Sequence, residues 1–222
     1  MLILAIEQKF PGIYIAGGKI ATRSMAPGTR VYGERIVRDS TGEYRIWDLY
    51  RSKLAGAIKK GLAGLEIVPG AKVLYLGAAT GTTASHVADV VGENGELYCV
   101  EFAQRSMRDL IAVCEKRPNM MPIHADANNP SEYADAGEVD VVYQDVSQPN
   151  QSEILIKNCD MFLKKGGIAY MCVKSQSIDV TLPPRKVFEM VKKQLEGHFE
   201  IEQEIELAPY DLDHLFLALR KK

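Results

Sequence analysis

The chain has 222 residues, 46% of them hydrophobic and 25% charged, with a formal net charge of −2. That length and balance suit one ordinary globular domain with a small extension, and they exclude a disordered or low-complexity chain. No apolar run reaches the about 18 residues a membrane helix needs, which excludes a membrane role. Four cysteines (Cys99, Cys114, Cys159, Cys172) are widely spaced and form no CxxC, so they read as buried free thiols and not as a disulfide framework or zinc site. The charge is unevenly spread. Residues 1–60 carry 11 Lys and Arg against 5 Asp and Glu, whereas residues 61–222 carry 16 against 24. A basic front on an acidic body points to a polyanion-facing N-terminal region.

In chain order, the opening Met1-Leu-Ile-Leu-Ala-Ile6 run lacks a basic flank and reads as a strand, not a signal peptide; a cytoplasmic protein is expected. Short β-rich pieces at 13–15, 19–23 and 34–37 alternate with turn signals, Gly17-Gly18 being the strongest hairpin signal and Asp39-Ser-Thr-Gly42 another. Residues 1–46 are therefore expected to form a small antiparallel sheet of hairpins packed on the larger domain C-terminal to it. A helix is predicted from Trp47 to about Leu65, capped by Asp48, with apolar residues at Leu49, Leu54, Ala57, Ile58 and Leu62; Gly64 and Pro69-Gly70 close it. Strand-like runs at 72–76, 96–102, 121–125, 139–144, 167–173, 199–207 and 215–219 then alternate with helical patterns at 82–91, 104–116, 152–162 and 184–195. This predicts an α/β fold: a doubly wound, mostly parallel seven-stranded sheet over residues 47–222, behind the small β domain of residues 1–46. The last two strands have no helix between them, so one of them should run antiparallel.

The first β-α turn is the strongest local feature. A buried strand ending at Leu76 enters Gly77-Ala-Ala-Thr-Gly81, and a helix opens with Thr82-Thr83. Small residues let the backbone approach a ligand, and the loop lies where open α/β sheets bind them. Ala79 stands where a dinucleotide loop has its second glycine, so a pyrophosphate fits poorly and an NAD-dependent oxidoreductase is disfavoured. Glu101 ends the second strand, 24 residues after Gly77, placed to accept from both ribose hydroxyls of an adenosine, with Phe102 placed to pack on the adenine. Asp126-Ala127 ends the third strand, and Asp126 can accept from the adenine amino group. Asp145 ends the fourth. An acidic rim suits a ligand with a sulfonium and an ammonium: S-adenosylmethionine, leaving S-adenosylhomocysteine, without a metal. Lys53, Asp145, Lys174 and His214 remain for catalysis, Lys174 ending the strand next to that of Asp145. Taken singly, a lysine at a strand tip is more often a surface residue, and His214 beside Asp213 more often structural.

Four segments in order, Arg51-Ser-Lys-Leu-Ala, Gly77-Ala-Ala-Thr-Gly-Thr-Thr, Val100-Glu-Phe and Asp145-Val-Ser-Gln-Pro-Asn, resemble the fibrillarin family over nearly the whole chain, at the size of its archaeal form. The resemblance implies guide-RNA-directed 2′-O-methylation of rRNA and tRNA. It implies a box C/D ribonucleoprotein with guide RNA, a Nop-family scaffold protein and a kink-turn-binding ribosomal-type protein. The family's Lys-Asp-Lys-His set falls on Lys53, Asp145, Lys174 and His214. Its cofactor contacts fall on Thr82, Thr83, Glu101, Phe102, Asp126, Ala127 and the turn Asp145, Val146, Ser147, Gln148, with Gly77 and Ala79 in the loop before them. Ser147 stands where many members have Ala, a small change. The Gly/Arg-rich tail of eukaryotic members is not in this sequence, so nucleolar targeting is not expected.

A ribose hydroxyl is a weak nucleophile and needs a base or a cation that stabilises the developing alkoxide. Lys174 is expected to contact it and assist its deprotonation. Acting as a base requires a lowered pKa, from burial under RNA and from Lys53; otherwise Lys174 is an electrostatic stabiliser. Asp145 would orient Lys174, and His214 would fix a member of the set. RNA is expected across Arg23, Arg30, Arg35, Arg38, Arg45 and Arg51, mostly through phosphate. Two alternatives stand beside this reading. A methyltransferase for proteins or small molecules has no use for the basic front, and the four catalytic candidates argue against an inert structural subunit.

Overall fold

The computed structural model describes residues 6–222; the start of the strand read at the N-terminus, residues 1–5, lies outside the described residues. Five short antiparallel strands come first: β1 (Ile6–Phe10), β2 (Ile13–Ala16), β3 (Lys19–Arg23), β4 (Ile36–Asp39) and β5 (Gly42–Ile46), in the order β1-β2-β3-β5-β4. The β2–β3 hairpin turns on Gly17 and Gly18, whose φ angles of 56° and 74° are those a two-residue hairpin turn requires. The β4–β5 turn is held by Asp39, whose Oδ1 accepts from the amides of Thr41 and Gly42.

The second sheet comprises β6 (Lys72–Leu76), β7 (Glu96–Glu101), β8 (Met120–His124), β9 (Val139–Gln144), β10 (Leu163–Lys174), β11 (Phe199–Glu206) and β12 (His214–Lys221). Its order is β11-β12-β10-β9-β6-β7-β8, and only β12 runs against its neighbours. The chain builds outward from β6 through β7 to β8, then restarts at β9 on the other side of β6. The crevice at that reversal, beyond the carboxyl ends of the strands, is where such sheets take ligands. The helices are α1 (Lys53–Lys59), α2 (Thr82–Val91), α3 (Gln104–Cys114), α4 (Gln151–Phe162), α5 (Ser175–Ile178) and α6 (Pro184–Leu195), with a 3₁₀ segment at Pro130–Ala136. Alternate residues of β6 enter two cores, Val73 and Tyr75 on one face and Leu74 and Leu76 on the other. Both faces are covered, so the strand reads as a continuous apolar run. All four cysteines are buried and free. Among the described residues no helix is long and apolar enough to cross a membrane.

Two expectations are corrected. The helix read from Trp47 to about Leu65 is confined to Lys53–Lys59, and its cap is Ser52, not Asp48. The Asp48 carboxylate instead accepts from the amide of Tyr50 at 2.8 Å, a local turn, while Ser52 Oγ accepts from Ala55 at 3.3 Å. Gly61, at φ 100°, follows the end of the helix. Leu62 and Leu65 are still buried, which explains the longer periodic signal. The second correction is Arg45, expected on the RNA face, whose exposure is 0%. Its guanidinium meets Glu34 at 2.7 Å, Asp89 at 2.8 Å and Ser85 Oγ at 2.8 Å. Both faces of β5 are covered, so alternation does not bring Arg45 to solvent. It fastens the first sheet to α2.

Candidate active site

β6 delivers the chain to Gly77, whose amide donates to the Val100 carbonyl on β7 at 2.9 Å. Gly77 has φ 81°, and a Cβ there would lie 2.9 Å from the Asp145 carbonyl oxygen, so two strand ends converge where only glycine fits. Ala79 turns its amide onto Glu101 Oε2 at 2.9 Å, and Ala103 donates to Oε1 at 2.8 Å. Glu101 is 8% exposed. A carboxylate offers about four lone-pair sites, so two remain for a ligand's hydroxyls. Phe102, 60% exposed, stands beside it. On the third tip, Asp126 Oδ1 accepts from Asn128 N at 2.9 Å, Asn128 Nδ2 at 3.0 Å and Gln148 Nε2 at 3.3 Å. The Asn128 amide in particular holds the Asp126 carboxyl below its ordinary pKa. Oδ2 accepts no hydrogen bond from the described residues. Asn150 completes the link by donating to Asn128 Oδ1 at 2.7 Å. Ala127 and Val146 are buried beneath these groups. Thr82 opens α2 half-exposed, but Thr83 is turned inward and donates to Ser52 Oγ at 3.0 Å, tying α2 to α1.

The catalytic candidates form one line of alternating charge. Lys174 Nζ lies 2.8 Å from Asp145 Oδ1, and Lys53 Nζ lies 3.3 Å from the same oxygen. Both are ion pairs without hydrogen-bond angles, since that oxygen has no directed donor. Lys174 directs two hydrogen bonds, to the Asp145 carbonyl at 2.7 Å and to Ser147 Oγ at 2.9 Å. Lys53 also meets Asp211 Oδ2 at 3.3 Å, and Asp211 Oδ1 meets His214 Nδ1 at 2.9 Å. The four expected side chains are between 14% and 18% exposed, so the line sits in the floor of the crevice. Burial alone would lower the pKa of Lys53, but the carboxylates of Asp145 and Asp211 outweigh it and raise it. Burial likewise opposes ionisation of Asp211, but the His214 hydrogen bond and the Lys53 charge win and lower its pKa.

Sequence reasoning missed Asp211 and Gln151. Asp211 lies in the β11–β12 loop, and nothing local announces its contact with a lysine more than 150 residues earlier. Gln151 opens α4. Its side chain accepts from Lys174 N at 3.0 Å and donates to Lys174 O at 3.2 Å. The β9–β10 ladder ends at Met171 opposite Gln144, whereas β10 stays paired with β12 until Lys174 faces His214. Gln151 thus holds the backbone of Lys174 after its parallel neighbour has parted from it. Its place at a helix start was a signal for a cap, not for this role.

Of the arginines expected at RNA, Arg35 and Arg51 line one cleft. Arg30 is exposed, Arg23 is spent on the Thr41 carbonyl at 2.7 Å, and Arg38 pairs with Glu43. Arg45 is in the interior, as described. Among the described residues no group of His, Cys, Asp and Glu is placed to hold a metal.

A protein-family model described as Fibrillarin matches residues 4–222. The chain belongs to the fibrillarin family. It is 48% identical over 221 residues to a fibrillarin-like rRNA/tRNA 2′-O-methyltransferase of Pyrococcus abyssi, covering 97% of each chain. Two solved fibrillarins superpose closely. One, from Aeropyrum pernix, was crystallised with natively bound S-adenosyl-L-methionine: TM-score 0.88, 43% identity, covering 98% of this chain and 100% of that one. The other is a fibrillarin/Nop5p complex: TM-score 0.89, 38% identity, covering 97% and 100%. This fibrillarin's own rim suits that cofactor. Glu101 has acceptor positions that the loop amides leave untaken, Asp126 has an oxygen without a donor among the described residues, and Asp145 brings a negative charge beside the loop.

Proposed function

We propose that Lys53, Asp145, Lys174 and His214 carry out methyl transfer to a ribose 2′-oxygen, with Asp211 as a positioning residue. The protein is an S-adenosylmethionine-dependent rRNA/tRNA 2′-O-methyltransferase. Gly77, Ala79, Thr82, Thr83, Glu101, Phe102, Asp126, Ala127 and the 145–148 turn hold the cofactor. When bound, S-adenosylmethionine supplies an electrophilic methyl group on a sulfonium. Lys174 has three N–H bonds and directs two at Asp145 and Ser147. The third meets the 2′-oxygen and stabilises the charge that builds there as its proton passes to solvent water. Asp145 fixes Lys174 between the two strand tips, and Lys53 balances the carboxylate from the other side. His214 holds Asp211, which holds Lys53. The Lys174–Asp145–Lys53 line beside the cofactor loop is the observation that carries this reading.

The target is selected in a box C/D particle, where guide RNA pairs with rRNA or tRNA. A Nop-family scaffold and a kink-turn-binding ribosomal-type protein hold the particle together. Residues 1–46 form its N-terminal β domain and residues 47–222 its methyltransferase domain. The test is methyl transfer to a target RNA by the reconstituted particle, with and without guide. Transfer must depend on the guide, and Lys174→Ala must lower it by about 10²–10³-fold with cofactor affinity retained. Wild-type rates in that variant would overturn the assignment of Lys174.

A further inference from the structure

A cavity opens between the β2–β3 hairpin, the 32–35 loop and the approach to α1. It holds about 550 Å³, within the about 300–1,000 Å³ typical of small-ligand sites. Lys19, Arg35, Arg51 and Lys59 line it. Glu34 is buried against Arg45, which leaves Asp48, a carboxylate that accepts from the amide of Tyr50, as one acid against these four cations. The accessible charge is therefore positive. Three aromatic side chains share the walls. Tyr50 is 70% exposed, and Tyr32 carries the Arg51 guanidinium 5.8 Å from its ring centre. Trp47 is stacked on His86 with ring centres 4.7 Å apart, and its indole N–H has no partner among the described residues. Tyr32 is pinned through its hydroxyl to His86 at 2.8 Å. These walls are preorganised, and they mix π faces with fixed cations.

The cavity adjoins the reacting centre. Tyr50 packs edge-on against Tyr210 at 5.4 Å, and the next residue, Asp211, grips Lys53. Arg51 is separated from Lys53 only by the cap residue Ser52. We infer that this cavity binds one unpaired nucleotide of RNA, its base against Tyr32 and Tyr50 and its phosphate among Arg35, Arg51 and Lys59. Aromatic faces with a basic track are how proteins hold unpaired nucleotides. That the nucleotide belongs to the methylated RNA rests on the function proposed above. Held here, the RNA is anchored beside Lys53 and not only through its pairing with a guide.

The sequence contains one tryptophan, so the tryptophan emission comes from Trp47 alone, a buried residue in the wall of this cavity. The full chain is titrated with single-stranded hexauridylate while cofactor affinity is followed by calorimetry. A saturable change in Trp47 emission is expected. Tyr50→Ala should weaken it about 5-fold or more. Arg35→Gln should reduce the salt slope of binding by about 0.7. Cofactor affinity should not change in either variant. No emission change at RNA concentrations where fluorescence anisotropy shows labelled hexauridylate bound would overturn the inference, as would no binding at all. An emission change caused by a Nop-family scaffold protein and not by RNA would also overturn it and make this a protein-docking cleft. Guide-dependent methylation by the wild-type particle separates these failures from failure of the proposed function.

Discussion

Asp211 is the residue on which the far end of the catalytic line depends. Its two oxygens meet different partners, Lys53 and His214. Asp211→Asn removes the charge and keeps the shape. Lys53 then has one carboxylate in place of two, and we expect methylation to fall by up to about 10²-fold through misplacement, without loss of cofactor binding. Rescue by Asp211→Glu would mark a positioning role; an unchanged rate in Asp211→Asn would end it. The same carboxyl has a lowered pKa in the fold, so it binds its proton more readily when unfolded. Its contribution to stability is complete above the unfolded value of about 3.9 and disappears as pH falls through the lower folded value. Acid unfolding followed by circular dichroism between about pH 5 and pH 2 should therefore be less steep in Asp211→Asn. Legibility differed sharply among neighbouring residues. Lys53, Asp145, Lys174 and His214 stand at element ends or carry a family motif; Lys53 and Lys174 do meet Asp145, whereas His214 reaches them only through Asp211. Asp211 and Gln151 act at long range from a loop and a helix start, so pattern reading passes over them. Arg45 misled for the opposite reason: it lies in a basic segment, and its burial depends on Glu34 and Asp89 being brought to it.

At the scale of elements, the glycine that opens the turn after β6 admits a close backbone approach, and the approach the structure shows is to the Asp145 carbonyl. Gly77→Ala would press a Cβ against the Asp145 carbonyl from a positive-φ backbone. We expect a stability loss of about 1–3 kcal/mol, with weaker cofactor binding by calorimetry because the 145–148 turn must move. A lower melting temperature with unaltered cofactor affinity would show that this approach does not shape the pocket. The order of strands and helices was readable because the central strands β6, β9 and β10 are continuous buried runs and helices such as α3 and α6 bury one apolar side. Boundaries were less readable where a side chain competes for the backbone. Asp48 looked like a cap, but it closes its own turn and leaves the capping to Ser52.

At the scale of the whole molecule, the two sheets are joined by buried charge. Arg45→Ala would strand Glu34 and Asp89 in the interior, and losing one partner of a buried pair costs about 3–5 kcal/mol. Chemical denaturation should show that loss; a change within error would mean that the seam is held by packing alone. His86 lies in the same seam, between Thr22 at 2.7 Å and Tyr32 at 2.8 Å. Thr22 donates to Asp89, so it accepts from His86 Nδ1–H and leaves Nε2 to accept from Tyr32. Burial first, then Arg45 and Arg117, hold the pKa of His86 well below its ordinary value. The unfolded chain binds the proton better, so stability is lost as pH falls below about 6.5, by about 1.4 kcal/mol per pH unit. Melting temperatures at about pH 7.5 and pH 5.5 should differ accordingly, and His86→Gln should narrow the gap. Finally, β12 runs against every other strand of its sheet. A parallel strand presents its exit loop at the reacting rim and its entry loop at the opposite one. The reversed strand exchanges these, so an entry loop brings Asp211 and His214 to the rim. That loop joins two strands with no helix to reposition. Insertions there can recast the neighbourhood of Lys53 while the sheet and its helical cover stay as they are.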